Sequence, residues 1–211
     1  MRNIIRALFI ILLFLTSKAL AYQPKEGKVT ATLGPYFTQT NFKGSSSGAV
    51  PGVMSGFGLI ALGDFSSYSS LEIGMFTMPK LFFRESVGKY ISEQTQILQF
   101  TMGYRYWINP YFSTSLAFFS TYSMGLVGII HSDFAPGQEI DTSARDVTEY
   151  GFDVALQGDL WKNDKMAVTL EGRYSASVTN KPDEHGDHYG FLLGFRYLVQ
   201  EDKVVQKRPT P

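Results

Sequence analysis

Residues 98 to 119, LQFTMGYRYWINPYFSTSLAFF, leave the chain little choice of fold, because two long segments of alternating character meet there at a very tight turn. Leu98, Phe100, Met102, Tyr104 and Tyr106 fall on one face of an extended segment, and Gln99, Thr101, Gly103 and Arg105 on the other. After Ile108-Asn109-Pro110 the alternation resumes, with Phe112, Thr114, Leu116 and Phe118 against Ser113, Ser115, Ala117 and Phe119. The pattern predicts a β-hairpin with one apolar face and one face of polar and small residues. Tyr104, Tyr106, Trp107, Tyr111 and Phe112 crowd its turn end, where amphipathic rings would sit at a membrane-water interface.

The rest of the chain repeats this unit. Alternation predicts further strands over about residues 28 to 40, 53 to 62, 69 to 77, 149 to 161, 166 to 178 and 188 to 199. In the last, Tyr189, Phe191, Leu193, Phe195 and Tyr197 oppose Gly190, Leu192, Gly194 and Arg196. The first contains Pro35, which cannot donate to a ladder, and the second mixes Phe57 and Leu59 with Gly56, Gly58 and Ile60 so that neither face is polar. With the two segments of the central hairpin this makes eight strands. Short turns at 63 to 68, 108 to 110 and 162 to 165 follow the even strands, and longer polar segments at 41 to 52, 78 to 92, 123 to 148 and 179 to 187 follow the odd ones. Short periplasmic turns alternating with long external loops are the habit of an outer-membrane barrel.

The first residues set the compartment. Met1-Arg2-Asn3-Ile4-Ile5-Arg6 precedes an apolar run from Ala7 to Leu15, and Ala19-Leu20-Ala21 has the small-residue spacing of a cleavage site. Residues 1 to 21 therefore read as a secretory signal peptide, residues 22 to 199 as one barrel domain, and residues 200 to 211 as a short polar periplasmic tail. The chain contains Cys 0, so an oxidising compartment adds no disulfide to the fold. Lys+Arg and Asp+Glu both number 19, which supplies no basic excess for nucleic acid. Charged residues make up 18% and aromatic residues 15%, and no apolar run after the leader has the roughly 18 residues of a spanning helix. For such a chain a closed barrel is the way to live in a membrane.

Alternation alone does not say which face looks inward, and a soluble barrel around an apolar ligand cavity would alternate too. The polar set is rich in Gly, Ser, Thr and Ala, which suits a narrow lumen, and the apolar set is flanked by Tyr and Trp, which suits a lipid-facing wall. The segment LIALGDFSSYSSLEIGMF at residues 59 to 76, with Gly103-Tyr104-Arg105-Tyr106 and Gly194-Phe195-Arg196-Tyr197, resembles the small OmpA/OmpX-type eight-stranded barrels of Gram-negative bacteria. The resemblance implies an all-β, antiparallel up-and-down transmembrane β-barrel of eight strands in the bacterial outer membrane. It further implies a monomer whose partners are outer-membrane lipid, the barrel-assembly machinery and an extracellular ligand at the loops, with no cofactor. The tail is far too short for a peptidoglycan-binding domain.

Candidate chemistry is confined to a few positions. Glu72, Arg105, Asp153, Asp159, Glu171, Arg173 and Arg196 fall on the inward face, where an eight-stranded barrel has room for side chains and little else. They are expected to form a lumen ion-pair network, since buried charges are found paired; partner exchange within it would make a gated ion path instead. His131-Ser132-Asp133 has catalytic residue types, but neighbours on an extended segment point to opposite faces, so His131 is badly placed to activate Ser132. His185 and His188, with Asp183 or Glu184, have residue types that bind divalent metals, yet read more simply as a mixed-charge hairpin tip. Residues 125 to 130, GLVGII, are apolar inside an external loop and suggest a strand extension or a contact surface for lipid or a partner. The reading that follows is a non-enzymatic barrel that supports the envelope and presents loops, with a narrow channel and a lipid-modifying enzyme as alternatives.

Overall fold

The computed structural model describes residues 24–42 and 51–201. The expected leader over residues 1 to 21, the loop tip at 44 to 48 and the tail beyond residue 201 lie outside the described residues. In chain order the strands are β1 (Lys28–Thr40), β2 (Met54–Asp64), β3 (Ser69–Ser86), β4 (Lys89–Asn109), β5 (Phe112–Ser123), β6 (Gly128–Ser132), β7 (Thr148–Lys162), β8 (Met166–Ser177), β9 (Glu184–His185) and β10 (His188–Glu201). A single 3-10 turn, Ser143–Arg145, lies between β6 and β7.

Eight of these strands, all but β6 and β9, pair antiparallel with their sequence neighbours and close into a barrel. Closure is made by β10 returning to β1, with Leu33 opposite Phe195 and Phe37 opposite Phe191. Pro35 is accommodated because its pairing is with Phe57 of β2, while no β10 residue is bridged to it. Closing the sheet removes every open strand edge within the hydrocarbon region, where an unpaired row of backbone polar groups would be costly.

Burial alternates along the barrel strands with a period of two. Leu33 and Phe37, Leu71, Ile73 and Met75, Phe100 and Met102, Leu116 and Phe118, Phe152 and Val154, and Phe191, Leu193 and Phe195 all face outward and are exposed. So much bare apolar surface is untenable in water and is what a lipid-facing wall requires. Tyr122, Tyr150 and Tyr189 ring its upper edge, and Tyr104, Tyr106, Trp161 and Tyr197 its lower edge. Tyr189 and Tyr197 are eight residues apart, about 26 Å along the strand, which at a tilt of about 40° gives a band roughly 20 Å high.

Above the upper tyrosines the structure departs from expectation. Residues 78 to 92, read as a long polar loop, are strand: β3 and β4 stay in register from Met78 opposite Ile97 to Ser86 opposite Lys89. The hairpin turns at Val87 and Gly88, whose positive φ angles of 51° and 71° are those of a type I′ turn. Alternation was hidden there because both faces are covered. Met78, Phe82 and Ile91 continue the inward face, while Leu81 and Phe83 on the outer face are buried under Phe42, Met54 and Tyr90. Phe42 stacks on Phe83 with ring centroids 4.3 Å apart. β6 adds to the far edge of β4 and β9 to the far edge of β3, giving a four-stranded extracellular sheet, β6-β4-β3-β9. The third loop is thus partly ordered, and β10 extends two residues past the expected strand end at 199.

Candidate functional site

The lumen is where the sequence placed its charges, and all seven expected residues point into it. Five of them meet at one level. Arg105 on β4 donates from Nε to Glu72 on β3 at 2.7 Å and from one terminal nitrogen to Glu171 on β8 at 2.6 Å. Its other terminal nitrogen reaches Gln157 at 2.7 Å and Ser113 at 3.0 Å. Arg173, also on β8, bonds Glu171 at 2.5 Å and Asp153 at 3.0 Å, and closes the ring on Glu72. Asp153 accepts further hydrogen bonds from Ser175 at 3.1 Å and Gln99 at 3.5 Å. The five charged side chains are 0 or 1% exposed. Arginine suits the place because its planar fork lets several carboxylates share one cation.

The other two expected residues form a separate pair nearer the periplasmic end. Arg196 bonds Asp159 at 2.6 Å, and Lys162, which had been read as part of a turn, joins Asp159 at 3.3 Å. Lys162 also donates to the Pro110 carbonyl and sits 3.9 Å from the centre of the Tyr111 ring. The inward list of four acids and three arginines was short of one positive charge, and Lys162 supplies it.

Between the charges the lumen is apolar on one side. Tyr36, Ile60, Leu62, Phe76, Met78, Ile97, Trp107 and Leu192 form a buried cluster, which explains why β2 showed no polar face. The Arg173 guanidinium lies 4.8 Å from the Phe76 ring centre and that of Arg196 lies 5.2 Å from that of Trp107. Gly190 makes room for Tyr36, whose hydroxyl occupies the space a Cβ would take. Ring and charge together fill the cross-section.

The extracellular mouth is roofed by groups that the sequence pattern did not reveal. Lys80 on β3 bonds both oxygens of Glu149 on β7 at 2.7 Å, with both side chains buried. Glu93, fully buried on the inward face of β4, accepts from the Thr142 hydroxyl at 2.7 Å and backbone N–H at 3.2 Å, and pairs with Arg145 at 2.5 Å. Glu184 on β9 accepts from Ser143 N–H at 2.6 Å and Ser143 Oγ at 2.5 Å. These two carboxylates clamp the 3-10 turn across the lumen side of the hairpin. Outside the clamp, Asp141 bonds Lys181 at 2.6 Å and Arg84 at 2.9 Å, and the Lys181 ammonium holds its carboxyl below the usual range.

The catalytic and metal-binding readings find little geometry. His131 Nε2 is 3.0 Å from Asp133, but Ser132 Oγ accepts from the Phe134 N–H at 3.2 Å instead of facing the imidazole. His185 lies against the Phe42 ring, with centroids 5.5 Å apart, while His188 is buried on the inward face at the top of β10. Among the described residues no three His, Cys, Asp or Glu side chains gather as a metal site.

No protein-family model matches the sequence, and no curated protein sequence matches it. Among solved structures, the outer membrane protein OprG from Pseudomonas aeruginosa is similar, with a TM-score of 0.58 and 12% identity over 85% of this chain and 99% of that one. Ail, the attachment invasion locus protein of Yersinia pestis, crystallised with the heparin analogue sucrose octasulfate, is 18% identical over 82% of this chain and 99% of its own, with a TM-score of 0.49. At such identities OprG carries the fold and nothing finer. The lipid-facing wall, the two aromatic edges and this fold agree.

Proposed function

Taking the chain as a small eight-stranded outer-membrane β-barrel, we propose that it is a closed, non-enzymatic envelope barrel, which acts through its wall in the membrane and its ordered extracellular sheet and not by passage through its lumen. The observation that supports this reading is the Glu72, Arg105, Glu171, Arg173 and Asp153 cluster, which spans the lumen with every side chain buried. To conduct, the barrel would have to break several charge-assisted hydrogen bonds at once, and an unpaired charge in so narrow a space costs about 3–5 kcal/mol. The roof clamped by Glu93 and Glu184 lies above that plug, so an ion path would have to open twice.

The extracellular sheet offers the other half of the reading. A hairpin with its own buried cluster, braced on both edges, is a rigid platform for presenting loops. Recording from the purified protein in planar bilayers tests the closed lumen, with a flat baseline expected and reproducible current steps favouring the channel. Mass analysis of lipid A from cells with and without the protein should show no change, and a lost or added acyl chain would favour a lipid-modifying enzyme.

A further inference from the structure

We propose that residues 124–130, with Val147 beside them, form a shelf that grips the outer leaflet of the membrane on one flank of the barrel. The segment leaves the wall just above the aromatic edge. Tyr122 pairs with Leu98, and two residues further on Met124 donates its N–H to the Gln96 carbonyl at 2.7 Å. The Gly125 carbonyl accepts from Thr95 Oγ1 at 3.3 Å, and Gly128 pairs with Gln94 as β6 begins. The root of the shelf is therefore about 7 Å along the strand beyond the tyrosines. Val147 is brought alongside by its carbonyl, which accepts from Ser123 N–H at 3.1 Å.

Composition and exposure set this segment apart from the rest of the extracellular face. No charged residue occurs from Ser123 to Ile130, whereas the neighbouring hairpin carries Arg84, Glu85 and Lys89 and the last loop carries Lys181, Asp183 and Glu184. Met124, Leu126, Ile129, Ile130 and Val147 are all exposed, Leu126 at 98%. On the hairpin the apolar residues Leu81 and Phe83 are covered by Phe42. Here no loop among the described residues folds over, and the patch runs on into the lipid-facing Tyr122, Phe100 and Phe118. That continuity points to lipid acyl chains as the occupant: exposed apolar side chains on a segment without a charged residue lose contact with water if the leaflet reaches up to them. Among the described residues no strand pairs with the outer edge of β6, which a protein segment or a second copy of the chain could pair with instead.

Because the chain has Cys 0, single cysteines can be placed at will. Leu126→Cys and Ile130→Cys would be labelled with bimane and compared with Phe118→Cys on the wall and with Val87→Cys at the exposed hairpin tip. The protein is held in phosphatidylcholine vesicles with or without brominated-chain phosphatidylcholine. The expected result at Leu126 is blue-shifted emission and a loss of intensity with brominated lipid comparable to that at Phe118, with no loss at Val87. Emission at Leu126 and Ile130 that matches Val87 and ignores brominated lipid would overturn the proposal. A blue shift that grows with the protein-to-lipid ratio without quenching would overturn it too, in favour of a second copy.

Discussion

Arg105 and Glu72 meet at 2.6 Å inside the barrel, diagonal neighbours on β4 and β3, in a register that sets Arg105 opposite Ser70 and Glu72 opposite Gly103. Neither side chain is exposed. The cluster around them holds three carboxylates, Glu72, Glu171 and Asp153, and two guanidinium groups, Arg105 and Arg173. The two partners are therefore not equivalent. Arg105→Gln leaves three carboxylates to one cation and should cost about 3–5 kcal/mol, whereas Glu72→Gln leaves two of each and should cost less. The double variant should cost less than the sum of the singles. Urea titrations of folding into vesicles measure all three, and equal, additive losses would mean that the pair carries no coupling.

The outer wall makes a separate claim. Leu193 faces lipid midway between Tyr189 and Tyr197, and Leu192 beside it is buried in the lumen. Leu193→Arg should destabilise the barrel by about 2–4 kcal/mol if it lies at the bilayer midplane. Arg placed at the girdle position Tyr197 should cost roughly 1 kcal/mol or less by the same depth dependence. The same titration, run on both variants, reads the depth of each position.

Topology is tested by protease. Residues 135 to 137 are exposed at a loop tip on the hairpin side of the barrel, and Pro110 and Tyr111 form the tight turn at the opposite end, one residue later than the expected turn at 108 to 110. Protease added to intact cells should cut near the first and spare the second until the outer membrane is opened. Glu184→Gln weakens the clamp on Ser143 and should speed cleavage in the same loop without changing the barrel's resistance to heat.

The Asp141 carboxylate ties the outer brace of the roof to pH. The Asp141 carboxyl titrates below its ordinary value because Lys181 donates to it, so its contribution is fully present above the unfolded value of about 4 and is lost as pH falls through the lower, folded one. Amide opening around Arg84 and Lys181, read as hydrogen exchange relative to each amide's intrinsic rate at that pH, should stay flat from neutral pH down to about 4 and rise below it. Asp141→Asn should remove that rise; an unchanged rise in the variant would assign it elsewhere.

Much of the barrel was legible because lipid on one side and a narrow lumen on the other force strict alternation. Glu72, Arg105, Asp153, Asp159, Glu171, Arg173 and Arg196 could be placed inward from the pattern alone, though not sorted into a central five and a periplasmic pair, since that depends on stagger between strands. The hairpin above the membrane was illegible for the opposite reason. Leu81 and Phe83 are apolar on the outward face because Phe42 covers them, and two buried faces erase a period of two. Lys80, Glu93 and Glu149 went unnoticed with it, and Glu184 was read only beside the two histidines: Glu93 and Glu184 find their partners Thr142, Ser143 and Arg145 in a loop whose path no local pattern encodes, and Lys80 meets Glu149 across strands that are not neighbours in the sheet.

The sealed lumen is the centre of this account, and its most direct test is the reactivity of cysteines placed inside it. Ser115→Cys and Thr169→Cys replace small inward side chains, both buried in the barrel, with Val87→Cys as the exposed reference. Each variant is folded into vesicles and treated with a small, charged methanethiosulfonate reagent from both sides. The account predicts rapid modification at Val87 and none at Ser115 or Thr169 until the barrel is unfolded. Modification of the two lumen positions in the folded protein would contradict it and show a water-filled passage.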